Sequence, residues 1–135
     1  MDKHSTYVWG KFVDPCPASE IFMIAHSAGG GCASSIIRKF HDTCVNRAKF
    51  IGFTDACHGS FDSSYRGDDL RWVRLSCMAY DASTLPLGKM LRGYNNFPTV
   101  SAGHAKHVYT TGCAWPMIRK SFLLRSQTLQ ARDDW

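Results

Sequence analysis

The stretch IFMIAHSAGGG, residues 21–31, carries four apolar residues into Ser27, which has the small residues Ala25 and Gly29 at minus two and plus two. A buried strand, a small-x-Ser-x-Gly turn and a helix make a nucleophile elbow, in which the serine sits at a strained strand-to-helix turn with its Oγ exposed above the sheet. Small flanking residues let backbone segments come together at that turn. The Ala28 amide, at the helix N-terminus, would face a developing oxyanion. The competing reading is a flexible glycine loop, or a phosphate-holding turn that lacks its lysine. The apolar run before the serine and the helical pattern after it favour the elbow.

A serine nucleophile needs a base, and the base needs an orienting acid; in this turn-based arrangement they follow in chain order Ser, Asp or Glu, His. Asp55 closes KFIGFTD and Asp81 closes LRWVRLSCMAYD, so both aspartates end apolar runs. The histidines after TVSAG are His104 and His107. His26, beside the serine, is expected to pack or bond locally, because neighbours on a turn point in different directions. Asp55, Cys57, His58, His104 and His107 could also be drawn as a metal cluster, but no CxxC occurs and the spacing is poor, so no metal and no cofactor is expected.

The elements that must position these groups alternate. Tyr7 to Val13 reads as the end of a helix, broken by Asp14-Pro15-Cys16-Pro17. Ile21 to Ala25 reads as a strand, Ala33 to Phe40 as a helix with Ile36, Ile37 and Phe40 in phase, and Lys49 to Thr54 as a second strand. Leu70 to Met78 reads as a third strand, Thr99 to Ala102 as a fourth, and Trp115 to Leu124 as a closing helix; the tail after Arg125 reads as frayed. Strands alternating with helices imply parallel pairing and an α/β sheet.

Composition limits the rest. A chain of 135 residues, 44% hydrophobic and 20% charged, has the make-up of one globular unit. No run of eighteen apolar residues occurs, so no membrane association is expected, and with no leader pattern the expected address is intracellular. The six cysteines are scattered and read as reduced, mostly buried thiols. A net charge of +5 favours acidic partners, but the basic residues form no run, and Arg71 and Arg74 beside Trp72 read as solvated charges; direct nucleic-acid binding is not expected. Trp9, Trp72 and Trp115 read as core or surface anchors.

Four blocks taken in order, IFMIAHSAGG, AKFIGFTDACH, RWVRLSCMAYD and VSAGHAKHVYTT, resemble the C-terminal half of the argonaute-binding protein domain family, which includes the cotranscriptional regulators of family with sequence similarity 172. The resemblance runs from about Tyr7 to Phe122. It implies an α/β fold, a partial α/β-hydrolase-like sheet, mainly parallel, with flanking helices. It also implies work in argonaute-linked silencing, heterochromatin or splicing complexes, in the nucleus and/or cytoplasm, with argonaute or chromatin and silencing proteins as partners. The family serine falls on Ser27 and the VSAGxxxH histidine on His107, leaving His104 at a variable position. The family aspartate of FTD falls on Asp55, and Asp81 sits where the family has another acidic loop, so both remain candidate acids. A complete hydrolase sheet has several strands before the elbow and an early loop that supplies a second oxyanion amide. There is almost no room for them before Tyr7, so residues 1–135 are expected to form one truncated domain. Two functions follow as expectations: an interaction module with a vestigial serine-hydrolase site, or an active serine hydrolase acting on an ester or other acyl substrate.

Overall fold

The computed structural model describes residues 2–58, 65–92 and 97–127. The expected frayed tail lies outside the described residues from 128 onward. Helix α1 (Asp2–Val8) runs into a π-helical turn, Trp9–Val13, followed by strand β1 (Ile21–His26) and helices α2 (Gly29–Lys39) and α3 (His41–Arg47). Strand β2 (Ala48–Thr54), helix α4 (Gly67–Ser76), strand β3 (Cys77–Asp81) and strand β4 (Thr99–Ser101) follow, and a 3₁₀ turn, His107–Tyr109, leads into helix α5 (Thr110–Arg125). The four strands form one sheet in the order β1-β2-β3-β4, with every neighbouring pair parallel.

A parallel sheet is stable when both faces are covered, and β2 shows the consequence in sequence. Phe50 and Ile51 are adjacent and both fully buried, because they point to opposite faces. Ile51 and Phe53 pack with Trp9, Ile37, Cys44 and Val73 on one face. Phe50 packs with Tyr80, Val100 and the α5 residues Ala114 and Ile118 on the other. The run KFIGFT therefore lacks polar alternation.

The helix ending at Val13 closes as a π turn, with Asp14 N–H donating to Trp9 O at 2.9 Å. Arg47 then clasps the loop that leads into β1: its guanidinium donates to Ala18 O at 2.7 Å, Asp14 O at 3.0 Å and Cys16 O at 2.9 Å. With Val13 O at 3.4 Å as a fourth acceptor, these backbone carbonyls around one cation hold the entry to the strand that leads to Ser27.

The segment expected as one strand, Leu70 to Met78, is two elements. Gly67–Ser76 is helical and only Cys77–Asp81 is extended. Leu70, Val73 and Ser76 recur every three residues, with Val73 and Ser76 buried and Leu70 packed against the core; Asp68 and Asp69 in the first turn suit the positive end of the helix dipole. Helix α5 starts five residues earlier than Trp115 and carries Pro116 within it. The six cysteines are free thiols, as expected, but only Cys44 and Cys77 are buried and Cys57 is exposed. Of the tryptophans, Trp9 is core, Trp72 is packed on it and Trp115 is 45% exposed.

The two sheet edges differ. Residues 88–91 return alongside β4, with Ser101 N–H donating to Lys89 O at 2.8 Å and Leu91 N–H to Thr99 O at 3.0 Å. The outer edge of β1 has no backbone partner among the described residues.

Candidate active site

Ser27 follows β1 directly and has φ 52°, a left-handed conformation that costs a residue with a Cβ on the order of 1–2 kcal/mol. Its backbone is held from three sides. Ser27 N–H donates to Thr54 O at 3.3 Å, and Ser27 O accepts from Gly30 N–H at 3.1 Å and from Cys57 N–H at 2.9 Å. Gly30 is the residue that the turn requires to be glycine: a Cβ there would lie 2.8 Å from both the carbonyl carbon and the oxygen of Cys57. At Gly29, singled out from the sequence, a Cβ would meet only Ala25 Cβ, at 4.0 Å.

Asp55 follows β2 as Ser27 follows β1, and it too is left-handed, with φ 44°. Among the described residues these are the two non-glycine positions of positive φ. The turn is pinned by Asp55 N–H donating to Tyr80 O at 2.9 Å. The side chain is engaged at both oxygens: Oδ1 accepts from Ala82 N–H at 3.2 Å, and Oδ2 from His107 Nδ1 at 2.6 Å. A carboxylate only accepts, so His107 Nδ1 carries a proton, and the neutral form of this tautomer has its lone pair on Nε2.

His107 opens the 3₁₀ turn before α5, and Thr110 Oγ1 anchors it by donating to His107 O at 2.8 Å. Its ring lies against His26, with centroids 4.5 Å apart and planes at 30°. The histidine, the residue before Ser27 and Asp55 are thus together at the C-terminal end of the sheet, where open α/β sheets place their ligands. Among the described residues, Ser27 Oγ, the Ala28 amide and His107 Nε2 have no hydrogen-bond partner.

Asp81 ends β3 and its backbone carbonyl accepts from Ala102 N–H at 2.9 Å. Burial, and next the charge of Asp55, push its carboxyl above the ordinary range, with His58 pulling the other way. Of the two strand-end aspartates, Asp55 is the one paired with the histidine. His104 turns away: its Nδ1 accepts from Lys106 N–H at 3.0 Å and its ring meets Tyr109 edge-on. His58 packs between Phe53 and Phe97. Among the described residues no three His, Cys, Asp or Glu side chains are grouped to hold a metal ion, and no helix is long and apolar enough to cross a membrane.

Sequence reasoning missed Gly30, Thr54 and the ring contact of His26. For His26 a signal existed: residue 26 shares strand parity with Phe22, which packs toward α5.

The Arb2 domain family model matches residues 1–87. Over 133 residues the chain is 26% identical to the cotranscriptional regulator ARB2A homolog of Gallus gallus, covering 98% of this chain and 31% of that protein. It is 27% identical over 127 residues to cotranscriptional regulator ARB2A of Homo sapiens, covering 93% of this chain and 30% of the relative. With the ARB2A homolog of Dictyostelium discoideum it shares 29% identity over 136 residues, 93% of this chain and 33% of the relative. The chain therefore spans about a third of the length of the curated relatives it matches. No solved structure matches it.

Proposed function

The chain belongs to the Arb2 domain family, and from that premise we propose that it is an α/β-hydrolase-like interaction module of cotranscriptional regulation. The observation that carries this reading is similarity over nearly the whole chain to proteins named as cotranscriptional regulators. Its partners are chromatin and silencing proteins, argonaute among them, and its place of work is the nucleus and/or the cytoplasm. The module reading is tested by capture: tagged wild type and Ser27→Ala should retain argonaute or chromatin proteins equally. Loss of capture in Ser27→Ala alone would sink a role independent of the serine.

One feature of the geometry favours a second reading, an active serine hydrolase for an ester or other acyl substrate: the Asp55–His107 contact at 2.6 Å beside a serine held at φ 52°. In this reading Ser27 Oγ attacks the acyl carbonyl and His107 Nε2 takes its proton. Asp55 holds the Nδ1–H tautomer and stabilises the imidazolium, and the Ala28 amide faces the oxyanion. In this reading the Ser27–His107 bond forms when substrate binds, as catalytic contacts often tighten in the complex. The acid in this reading is Asp55, because it is the aspartate bonded to His107; burial and the Asp55 charge push the Asp81 carboxyl above its ordinary range. A fluorophosphonate probe should then label the wild type, not Ser27→Ala, and should label Asp55→Asn slower by up to about 10⁴-fold. A wild type that takes no label leaves the module reading alone.

A further inference from the structure

We propose that His26 is a positioning residue that fixes the ring plane of His107. The catalytic consequence rests on the hydrolase reading above, whereas the effect on the ring does not. A hydrogen bond at Nδ1 restrains the torsion of the imidazole about its Cβ–Cγ bond at one atom only, and the ring still rocks within the tolerance of that bond. Asp55 supplies such a bond at Nδ1, at 2.6 Å. With the His107 side chain 44% exposed, packing on all sides does not settle the plane. His26 settles it by lying against the ring face at 4.5 Å and 30°.

A stacking partner is useful only if it is itself fixed, and His26 is. Its Nδ1 is 2.8 Å from Thr54 O and 3.3 Å from Thr54 Oγ1. A carbonyl oxygen only accepts, so Nδ1 carries the proton. Thr54 is fully buried, and its Oγ1 is bonded in turn to Thr111 Oγ1 at 2.6 Å. The same Thr54 carbonyl accepts the Ser27 amide. One β2 carbonyl therefore sets both the turn that carries Ser27 and the ring that faces His107. The base of the hydrolase reading is His107 rather than His26, because only the Nδ1 of His107 is bonded to a carboxylate that can stabilise an imidazolium, whereas that of His26 meets a neutral carbonyl. When His107 is protonated, its cation gains the π face of His26, the geometry of a cation–π contact.

The test compares His26→Ala, which removes the ring, with His26→Phe, which keeps an aromatic face but loses the N–H. The primary readout is independent of turnover: solvent exchange of the His107 Nδ1 proton, followed by NMR of ¹⁵N-labelled full chain. The alanine variant should exchange this proton faster than wild type, and phenylalanine should restore slow exchange. Fluorophosphonate labelling of Ser27 should fall about tenfold to a hundredfold in His26→Ala, the effect of a misplaced catalytic group, and recover in His26→Phe. If wild type takes no label, the hydrolase reading fails and proton exchange alone decides. Unchanged exchange in His26→Ala, or a phenylalanine variant as impaired as alanine, overturns the proposal. Should His26→Ala lose its cooperative melt, His26→Leu, which fills space without an aromatic face, replaces it with the same expected results.

Discussion

Gly30→Ala should destabilise the protein although it adds a better helix former to α2. In an open helical position this exchange gains up to about 1 kcal/mol. At residue 30 the new Cβ would lie 2.8 Å from the Cys57 carbonyl carbon and oxygen and 3.0 Å from His58 N. All three are backbone atoms, and Cys57 is also tied to the elbow through its amide bond to Ser27 O, so no flexible side chain can swing aside. Overpacking of this kind costs about 1–3 kcal/mol. Gly31 is the control, since its Cβ would meet only Cys57 O, at 3.9 Å. The two alanine variants share the propensity gain, so the gap between them is the contact alone, about 1–3 kcal/mol. At about 4 °C per kcal/mol for a chain of this size, Gly30→Ala should melt roughly 4–12 °C below Gly31→Ala, with the gap repeated in urea midpoints. A Gly30→Ala protein that melts with or above Gly31→Ala would refute the claim that the Cys57 backbone is packed rigidly on the start of α2.

Ser27→Gly should raise stability by about 0.5–1 kcal/mol, because glycine takes a positive φ without strain; Ser27→Ala keeps the strain and should change the melt little, so a glycine variant melting below the alanine variant would contradict this. Asp81→Asn should be more stable than wild type at neutral pH. Its carboxyl is raised from 3.8 by burial and by Asp55, so the folded state carries the cost of the charged form above that raised value. The advantage should shrink as pH falls through it and vanish below 3.8, where both states bind the proton. Melts at stepped pH check this, and an advantage that grows on acidification would refute it.

The legible parts of the fold were those in which a local pattern had one meaning. IFMIAH before the serine and glycines, with a helical pattern after them, favoured a strand feeding a helix over a glycine loop, and the apolar KFIGFT was too short for a buried helix. LRWVRLS has two meanings: Leu70 and Trp72 alternate as in a strand, while Leu70, Val73 and Ser76 recur as on a helix. Packing chose the second, and that choice depends on a core that no local window contains. The same holds for the acid. Asp55 and Asp81 both end strands, and sequence spacing treats them alike. What separates them is the left-handed turn at Asp55, which carries its carboxylate to His107. Gly30 stood in the quoted motif, but its necessity comes from the Cys57 segment, a tertiary neighbour 27 positions later.

The unequal edges of the sheet bear on how the molecule can be assembled with others. At β4 the chain supplies its own terminator, since residues 88–91 occupy the hydrogen-bonding row. At β1, IFMIAH carries no charge or proline to repel a strand, its outer row is unpaired among the described residues, and Ile24 is 37% exposed beside it. A sheet stopped at one end and open at the other behaves as a chain-terminating monomer does in polymerisation. Among the described residues, the row at β1 is the one a further strand could join, because residues 88–91 hold the β4 side.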